Sequence, residues 1–440
     1  MAYIPNTSDE TQDMLKQLGL ADMEALYADI PQAVRLKKQL DVGEGFSELE
    51  LVRELSAAAS RNKIYDTVFM GAGAYRHFIP AAVENIASRN EFVTAYTPYQ
   101  AEMSQGILQS IFEFQTMICE LTGMDVSNAS VYDGASAAGE ACLMTRDRKR
   151  SKVLVSSCAH PQVIDTIRTY AVPAGMACEV VAAKDGTTDA ADLENKLDET
   201  VAGVYLASPN YFGLIENTAQ MAELVHGAGA KLVLGVNPIA AGILKTAAEL
   251  GADIAVGEGQ PLGLPLAFGG PYLGFMACTK ANMRKMPGRI VGETVDHDGN
   301  RAFVLTLQAR EQHIRREKAG SNICSNQAWC ALRSAVYMSV MGKEGLRDVA
   351  EQCYANAHYL RDELQKLGFS PVYGGEFFHE FVMQSPVSPV KLQKALDEKG
   401  ILGGLDLGGG KMLWCATELT GQREIDTLVG AVKGACTSWN

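Results

Sequence analysis

Gly251-Ala-Asp-Ile-Ala-Val-Gly-Glu-Gly-Gln260-Pro261-Leu-Gly-Leu-Pro-Leu-Ala-Phe-Gly-Gly270-Pro271-Tyr-Leu-Gly274-Phe275 opens on a short apolar strand, Ile254 to Val256, and closes on a second one. A Gly/Pro loop and a Gly-Gly-Pro turn lie between them, and no lysine occurs from Gly251 to Met276. Upstream, short apolar and β-branched runs at 152–156, 179–182, 202–207, 231–236, 253–256 and 272–277 read as strands. Helical patterns at 136–147, 160–171, 189–198, 217–228 and 242–250 fall between them. Such alternation predicts an α/β fold, a mostly parallel sheet with helices on both faces.

Outward from this centre, a long helix is expected over about 106–121, with Leu108, Ile111, Phe112, Gln115, Ile118 and Cys119 on one face. The first sixty residues read as short amphipathic helices. Thr7 with Glu10, and Ser47 with Glu50, have capping-box spacing. Residues 281–320 read as a polar stretch. Helices follow at Ser325–Val340 and 344–367, then strands near 370–383, a helix at 388–398, a Gly-rich turn at 403–410, a strand at Met412–Ala416 and a helix at 422–434. The expected division is an N-terminal helical arm (1–65), a large domain (66–330) and a small C-terminal α/β domain (331–440).

The 440 residues are 47% hydrophobic and 21% charged, the balance of a soluble globular chain. A net charge of −13 argues against a general nucleic-acid or anionic-membrane binder. No apolar run reaches membrane-spanning length, and Met1 to Glu10 has neither a basic region nor an apolar core, so a cytoplasmic protein is expected. The 10 cysteines contain no C-x-x-C pair, so no metal site is expected and reduced thiols are the reading.

Several constellations could carry chemistry. Gly71-Ala-Gly73 lacks the third glycine of a dinucleotide fingerprint and reads as a backbone turn. Gly134-Ala135-Ser136, entering a helix, could hold a phosphate or pack the helix closely. Asn237 lies just past a strand at the ligand-binding edge of the sheet, where its side chain can cap the next turn. His160-Pro161 sits after another strand, where an aromatic ring could stack on a bound cofactor, and it equally fits a helix start. Tyr96, Thr97, Tyr99, Gln100, Glu102 and Ser104 concentrate hydrogen-bonding types as an interface or channel would. Arg315, Arg316 and Lys318 belong to a basic run in an acidic chain, either a solvated helix face or a contact for an anionic substrate or acidic partner.

Together, Ala95-Tyr-Thr-Pro-Tyr-Gln-Ala-Glu-Met-Ser-Gln-Gly106, His160-Pro-Gln-Val, Phe268-Gly-Gly-Pro, Met286-Pro-Gly-Arg-Ile-Val-Gly292, Gln308-Ala-Arg-Glu-Gln-His-Ile-Arg-Arg-Glu-Lys318 and Ser321-Asn-Ile-Cys324 resemble the glycine-cleavage P-protein family, in its separate alpha subunit. The resemblance implies a pyridoxal-phosphate (PLP)-dependent transferase-like fold, aspartate-aminotransferase-like and of fold type I. In the family's beta subunit, Gly-Ala-Asp-Ile is followed by His-Lys, and that lysine binds PLP. Aligned on Gly251, the histidine position is Gln260 and the lysine position Pro261, which has no amine. Asn237 stands where a carboxylate would pair with the pyridine nitrogen, and it is neutral. The resemblance thus implies no cofactor-binding and no catalytic residue on this chain alone. PLP would sit on a partner beta subunit, typically in an α2β2 assembly. The pair would decarboxylate glycine, release CO2 and pass the aminomethyl group to the lipoyl arm of the H-protein. Tyr96, Thr97, Tyr99, Gln100, Glu102 and Ser104 would touch the partner's active site, and Arg315, Arg316 and Lys318 the partner or H-protein. The rival expectations are a self-sufficient PLP decarboxylase or aminotransferase using Lys245, Lys280 or Lys285, and a purely structural scaffold subunit.

Overall fold

The strand–helix alternation folds as a seven-stranded sheet. The structure, a computed structural model, describes residues 6–36, 38, 40–323 and 327–437; Cys324, Ser325 and the Cys436 side chain lie outside this description. The strands in chain order are β1 (Val126–Ser127), β2 (Lys152–Ser156), β3 (Ala177–Val181), β4 (Val201–Ser208), β5 (Lys231–Val236), β6 (Ile254–Glu258) and β7 (Gly274–Cys278). They lie side by side as β1-β7-β6-β5-β4-β2-β3. β2 to β6 are mutually parallel, and β7 is antiparallel to β6 and β1.

Because side chains alternate along a strand, each strand feeds two cores. In β5, Leu232 and Leu234 join one and Val233 the other; in β2, Leu154 joins the first, and Val153 and Val155 the second. The first core takes Phe114 and Ile118 from α1 (Gln105–Thr122) and Ala335 and Met338 from the long helix Gln327–Lys366. The second takes Ala137, Ala138 and Ala141 from α2 (Gly134–Thr145) and Ile167 from α3 (Pro161–Ala171). The buried face of α1 carries Phe114 and Thr122 rather than the expected Phe112 and Cys119.

Ala190–Lys196 and Thr218–Gly227 are the next two expected helices. The fifth, at 242–250, is absent. Thr246 and Glu249 exchange capping bonds (Thr246 N–H to Glu249 Oε2, 2.8 Å; Glu249 N–H to Thr246 Oγ1, 3.3 Å), but Gly251 at φ +85° ends the chain's turn after one cycle. The long helix Gln327–Lys366 breaks at Gly342 (φ 62°), which separates the two helices read from the sequence. Residues 281–320 hold an unforeseen antiparallel hairpin, Ile290–Val295 with Arg301–Thr306. A four-stranded antiparallel sheet follows (Ser370–Pro371, Glu380–Gln384, Lys411–Cys415, Leu405–Gly408), and its last strand occupies much of the expected Gly-rich turn.

The chain divides into two compact units, Met1–Ile64 and Tyr65–Asn440. In the first, helices Ser8–Gln17 and Glu48–Ala59 both begin with the capping boxes read from the sequence. The eight described cysteines are free thiols, six of them buried. Among the described residues no helix is long and apolar enough to cross a membrane.

Candidate functional site

The C-terminal ends of β4, β5 and β6 open onto a cavity of about 720 Å³, walled also by the starts of α2 and α3 and by Ala72–Tyr75. This is the edge at which open parallel sheets hold ligands. Four features singled out from the sequence line it: Asn237, Pro261, the Gly134–Ser136 turn and His160.

Three of these, and Gln260 beside Pro261, are committed to the fold. Asn237 Oδ1 accepts from Ile239 N–H (2.9 Å) and Ala240 N–H (3.1 Å), the turn-capping role. Gln260 is buried; it donates to Tyr75 O (2.8 Å) and Leu264 O (2.9 Å) and accepts from Tyr75 N–H (3.0 Å). At α2, Ser136 N–H donates to Asp133 Oδ1 (2.7 Å) and Gly134 N–H to Glu258 Oε2 (2.9 Å). Gly134 lies so close to β6 that a Cβ would stand 2.9 Å from Glu258 N, so only glycine fits. His160 caps α3 by accepting from Gln162 N–H (3.1 Å) and donates through Nε2 to Ala72 O (3.0 Å). Burial, offset by the Ala72 bond, lowers its pKa.

Glu258 is the residue the sequence reading passed over. Its Oε1 accepts from Gln260 N–H and Leu273 N–H, both at 3.0 Å. One carboxylate therefore ties the loop, the returning strand and the start of α2 together. Burial raises its pKa from 4.5 to about 7, against the pull of its three backbone donors.

A PLP site needs an amine on the loop, a carboxylate for the ring nitrogen and free donors for the phosphate. Among the described residues the cavity lining holds no lysine, Asn237 is neutral, and two of the donors at α2, Gly134 N–H and Ser136 N–H, are answered by Glu258 and Asp133. The residues present do not fit the cofactor. Lys280 is exposed, Lys245 lines a separate cavity of about 180 Å³, and Lys285 donates to Arg146 O (2.8 Å).

The Tyr96–Ser104 stretch is the loop that leads into α1. Tyr96 is 88% exposed, and Tyr99, Gln100 and Glu102 are also exposed; Thr97 and Ser104 are half-buried. Tyr99 Oη accepts from Arg289 Nη2 (2.6 Å). The basic run is not one helix: three short turns, Gln308–Arg310, Gln312–Arg315 and Arg316–Lys318, are separated by extended backbone at Glu311 (φ −85°, ψ 160°) and by positive φ at Arg316. Arg315 and Lys318 line a second cavity of about 570 Å³, and Arg316 does not. Arg289 lines that cavity too, so it brings the tyrosine loop and the basic run together. Nothing in their spacing signalled this meeting. A further cluster was equally hidden: His77 Nδ1 lies 2.8 Å from Glu418 Oε2, to which the Cys353 thiol donates (3.4 Å), and the three ligand atoms lie within 4.8 Å of one another.

The sequence model of the glycine cleavage system P-protein matches residues 1–432. The chain belongs to that family. It is 50% identical, over 98% of its length and 99% of the other, to the Desulfitobacterium hafniense protein "Probable glycine dehydrogenase (decarboxylating) subunit 1". A crystal structure of glycine decarboxylase (P-protein) of the glycine cleavage system, in inhibitor-bound form, is similar with a TM-score of 0.89 at 41% identity, covering 99% of this chain and 100% of that one. An aspartate aminotransferase from Thermus thermophilus shares the fold alone (TM-score 0.58, 15% identity, 85% of this chain and 99% of that one). The fold is thus that of the PLP-dependent transferases, as the P-protein resemblance implied.

Proposed function

We propose that this chain is the alpha subunit of a glycine decarboxylase of the glycine cleavage system, the subunit that does not itself hold PLP. With a PLP-bearing beta subunit, in a cytoplasmic α2β2 assembly, it takes part in decarboxylating glycine, releasing CO2 and transferring the aminomethyl group to the lipoyl arm of H-protein. The observation that carries this reading is the cavity at the strand ends. It lies at the edge where open parallel sheets hold ligands, yet its lining offers no lysine among the described residues and Gly134 N–H at the start of α2 is answered by Glu258.

What this chain contributes lies on its surface. Tyr96, Gln100 and Glu102 are exposed donors and acceptors beside Tyr99, which Arg289 orients. Thr97 and Ser104 complete the same loop. In the complex they contact the partner's active site, and Arg315, Arg316 and Lys318 contact the partner or the H-protein.

Purified alone and mixed with PLP, the chain should stay colourless and form no borohydride-stable adduct; a visible band trapped by borohydride would revive a self-sufficient enzyme. Reconstituted with the beta subunit, it should raise glycine–bicarbonate exchange. Tyr96→Ala and Tyr99→Ala should each lower that exchange about tenfold or more without dissociating the complex. Unchanged turnover in both variants would leave only a scaffold role.

A further inference from the structure

Two of the backbone donors at the start of α2, Gly134 N–H and Ser136 N–H, are already taken by Glu258 and Asp133. The chain's uncommitted positive charge gathers elsewhere, around the cavity of about 570 Å³ beyond the other end of that helix. Eight lysine and arginine side chains line it against three carboxylates, in a chain whose net charge is −13. Among the described residues, none of Arg284, Arg289, Arg310, Arg315 and Lys318 has a carboxylate within 4.0 Å: the ion pairs that do form lie elsewhere.

Two of these guanidiniums are fixed and incompletely used. Arg289 donates through Nη1 to Ile323 O (3.2 Å) and through Nη2 to Tyr99 Oη, while Arg310 donates through Nη2 to Gly288 O (2.6 Å). In both, the Nε atom is buried with no partner among the described residues. A buried donor left unmet costs free energy, and an oxyanion is the acceptor that a cluster of guanidiniums recognises best. Of the three carboxylates, Glu311 opposes an anion most directly, because its Oε1 is buried with no partner among the described residues. Glu140 is buried, Asp147 accepts from Lys149 N–H (2.8 Å) and Arg150 N–H (2.9 Å), and Glu311 lies 3.7 Å from His313.

We infer that this cavity is a binding site for a phosphate-class dianion, either inorganic phosphate or the phosphate of a small phosphomonoester. One carboxylate, such as that of glycine, would answer a single guanidinium and leave the others unmet; a doubly charged group with three terminal oxygens answers several. A cavity of this volume suits a small molecule rather than an extended chain. The site needs only this chain, so its test stands apart from the partnership with a beta subunit.

The test is calorimetric titration of the purified full-length chain at fixed ionic strength with inorganic phosphate, glycerol phosphate, acetate and hexaglutamate. Both phosphate probes should saturate one site per chain, and acetate should bind at least tenfold more weakly. If glycerol phosphate binds as tightly as phosphate, the natural ligand is an ester; if only phosphate binds, it is the free ion. Arg284→Gln and Arg315→Gln, both at exposed side chains that should not disturb folding, should each weaken phosphate about tenfold. Arg316→Gln removes the same charge one residue away, outside the lining, and should leave the affinity unchanged. No saturation by about 10 mM phosphate would overturn the inference. So would equal weakening by Arg315→Gln and Arg316→Gln, which would mean diffuse attraction, or hexaglutamate binding more tightly than either phosphate.

Discussion

A methyl group on Gly71 would lie 2.6 Å from Glu380 Oε1, 2.6 Å from the Tyr75 ring and 2.9 Å from Cys415 Sγ. Gly71→Ala should therefore destabilise the fold by about 2 kcal/mol or more, read as a lowered midpoint in chemical denaturation. The glutamate it would strike is itself informative. Glu380 accepts from Ala72 N–H (2.6 Å) and Tyr75 Oη (2.7 Å), and burial raises its pKa from 4.5 to about 7. Between those values the folded chain holds a proton that the unfolded chain has released. The stability from this group is thus full below about 4.5 and lost as pH rises through about 7. Buried histidines such as His379, whose pKa burial lowers, act in the opposite sense, so a difference measurement is needed. The advantage of wild type over Glu380→Gln should shrink by on the order of 1–3 kcal/mol between pH 5 and pH 8, and a pH-independent difference would refute the assignment. At this scale the sequence was legible where a role follows from place. Asn237, Pro261 and His160 stand at strand ends, and their positions alone led to the cavity. Glu258 was missed because an acid at a strand end looks solvated until its burial is known. The available signal was Gly257-Glu258-Gly259, an acid held between two glycines inside an apolar run.

The hairpin Ile290–Val295/Arg301–Thr306 is held to α1 by two glutamines that act as lengths of neighbouring strand. Gln115 donates to Val291 O and accepts from Val291 N–H, both at 2.9 Å; Gln105 does the same with Phe303, both at 2.8 Å. Gln115→Leu would strand a buried N–H and C=O and should cost about 2–3 kcal/mol in chemical denaturation. Gln105→Leu, in a part-buried site, should cost roughly half as much. The hairpin itself was not legible, because its strands are short and flanked by charges in a stretch that is polar on average. The strands of the central sheet were legible for the opposite reason, since burial on both faces demands continuous apolar runs. The 242–250 helix was over-read. Its capping signal is real, but one capped turn without further helical residues is not a helix. The basic run likewise carries a helical pattern that extended backbone at Glu311 and positive φ at Arg316 interrupt.

On the whole molecule, exposed apolar surface is unevenly spread. Of the large apolar side chains exposed among the described residues, 16 fall before Tyr65, including Val42, Phe46, Leu49 and Val52. Such a concentration marks surface meant to be covered. The isolated chain should bind an apolar dye such as anilinonaphthalene sulfonate, and addition of the beta subunit should reduce that fluorescence at least twofold. Fluorescence that merely adds would mean the surface stays open in the complex. Tyr96→Ala, by contrast, should leave the melting temperature of the isolated chain unchanged to within about 0.5 kcal/mol of stability, since the ring is 88% exposed.

On the proposed reading, in which this chain does not hold PLP, Glu258 would make that state hard to reverse in evolution. A lysine at 261 and a carboxylate at 237 would supply two of the groups a PLP site needs, but the carboxylate of Glu258 would still hold Gly134 N–H at the start of α2. Removing it first would free Gly134 N–H and loosen the loop that Gln260 ties to Tyr75. The route back therefore passes through variants that have given up internal bonds before any ligand replaces them. On that reading, the divergence of this chain would behave as a ratchet.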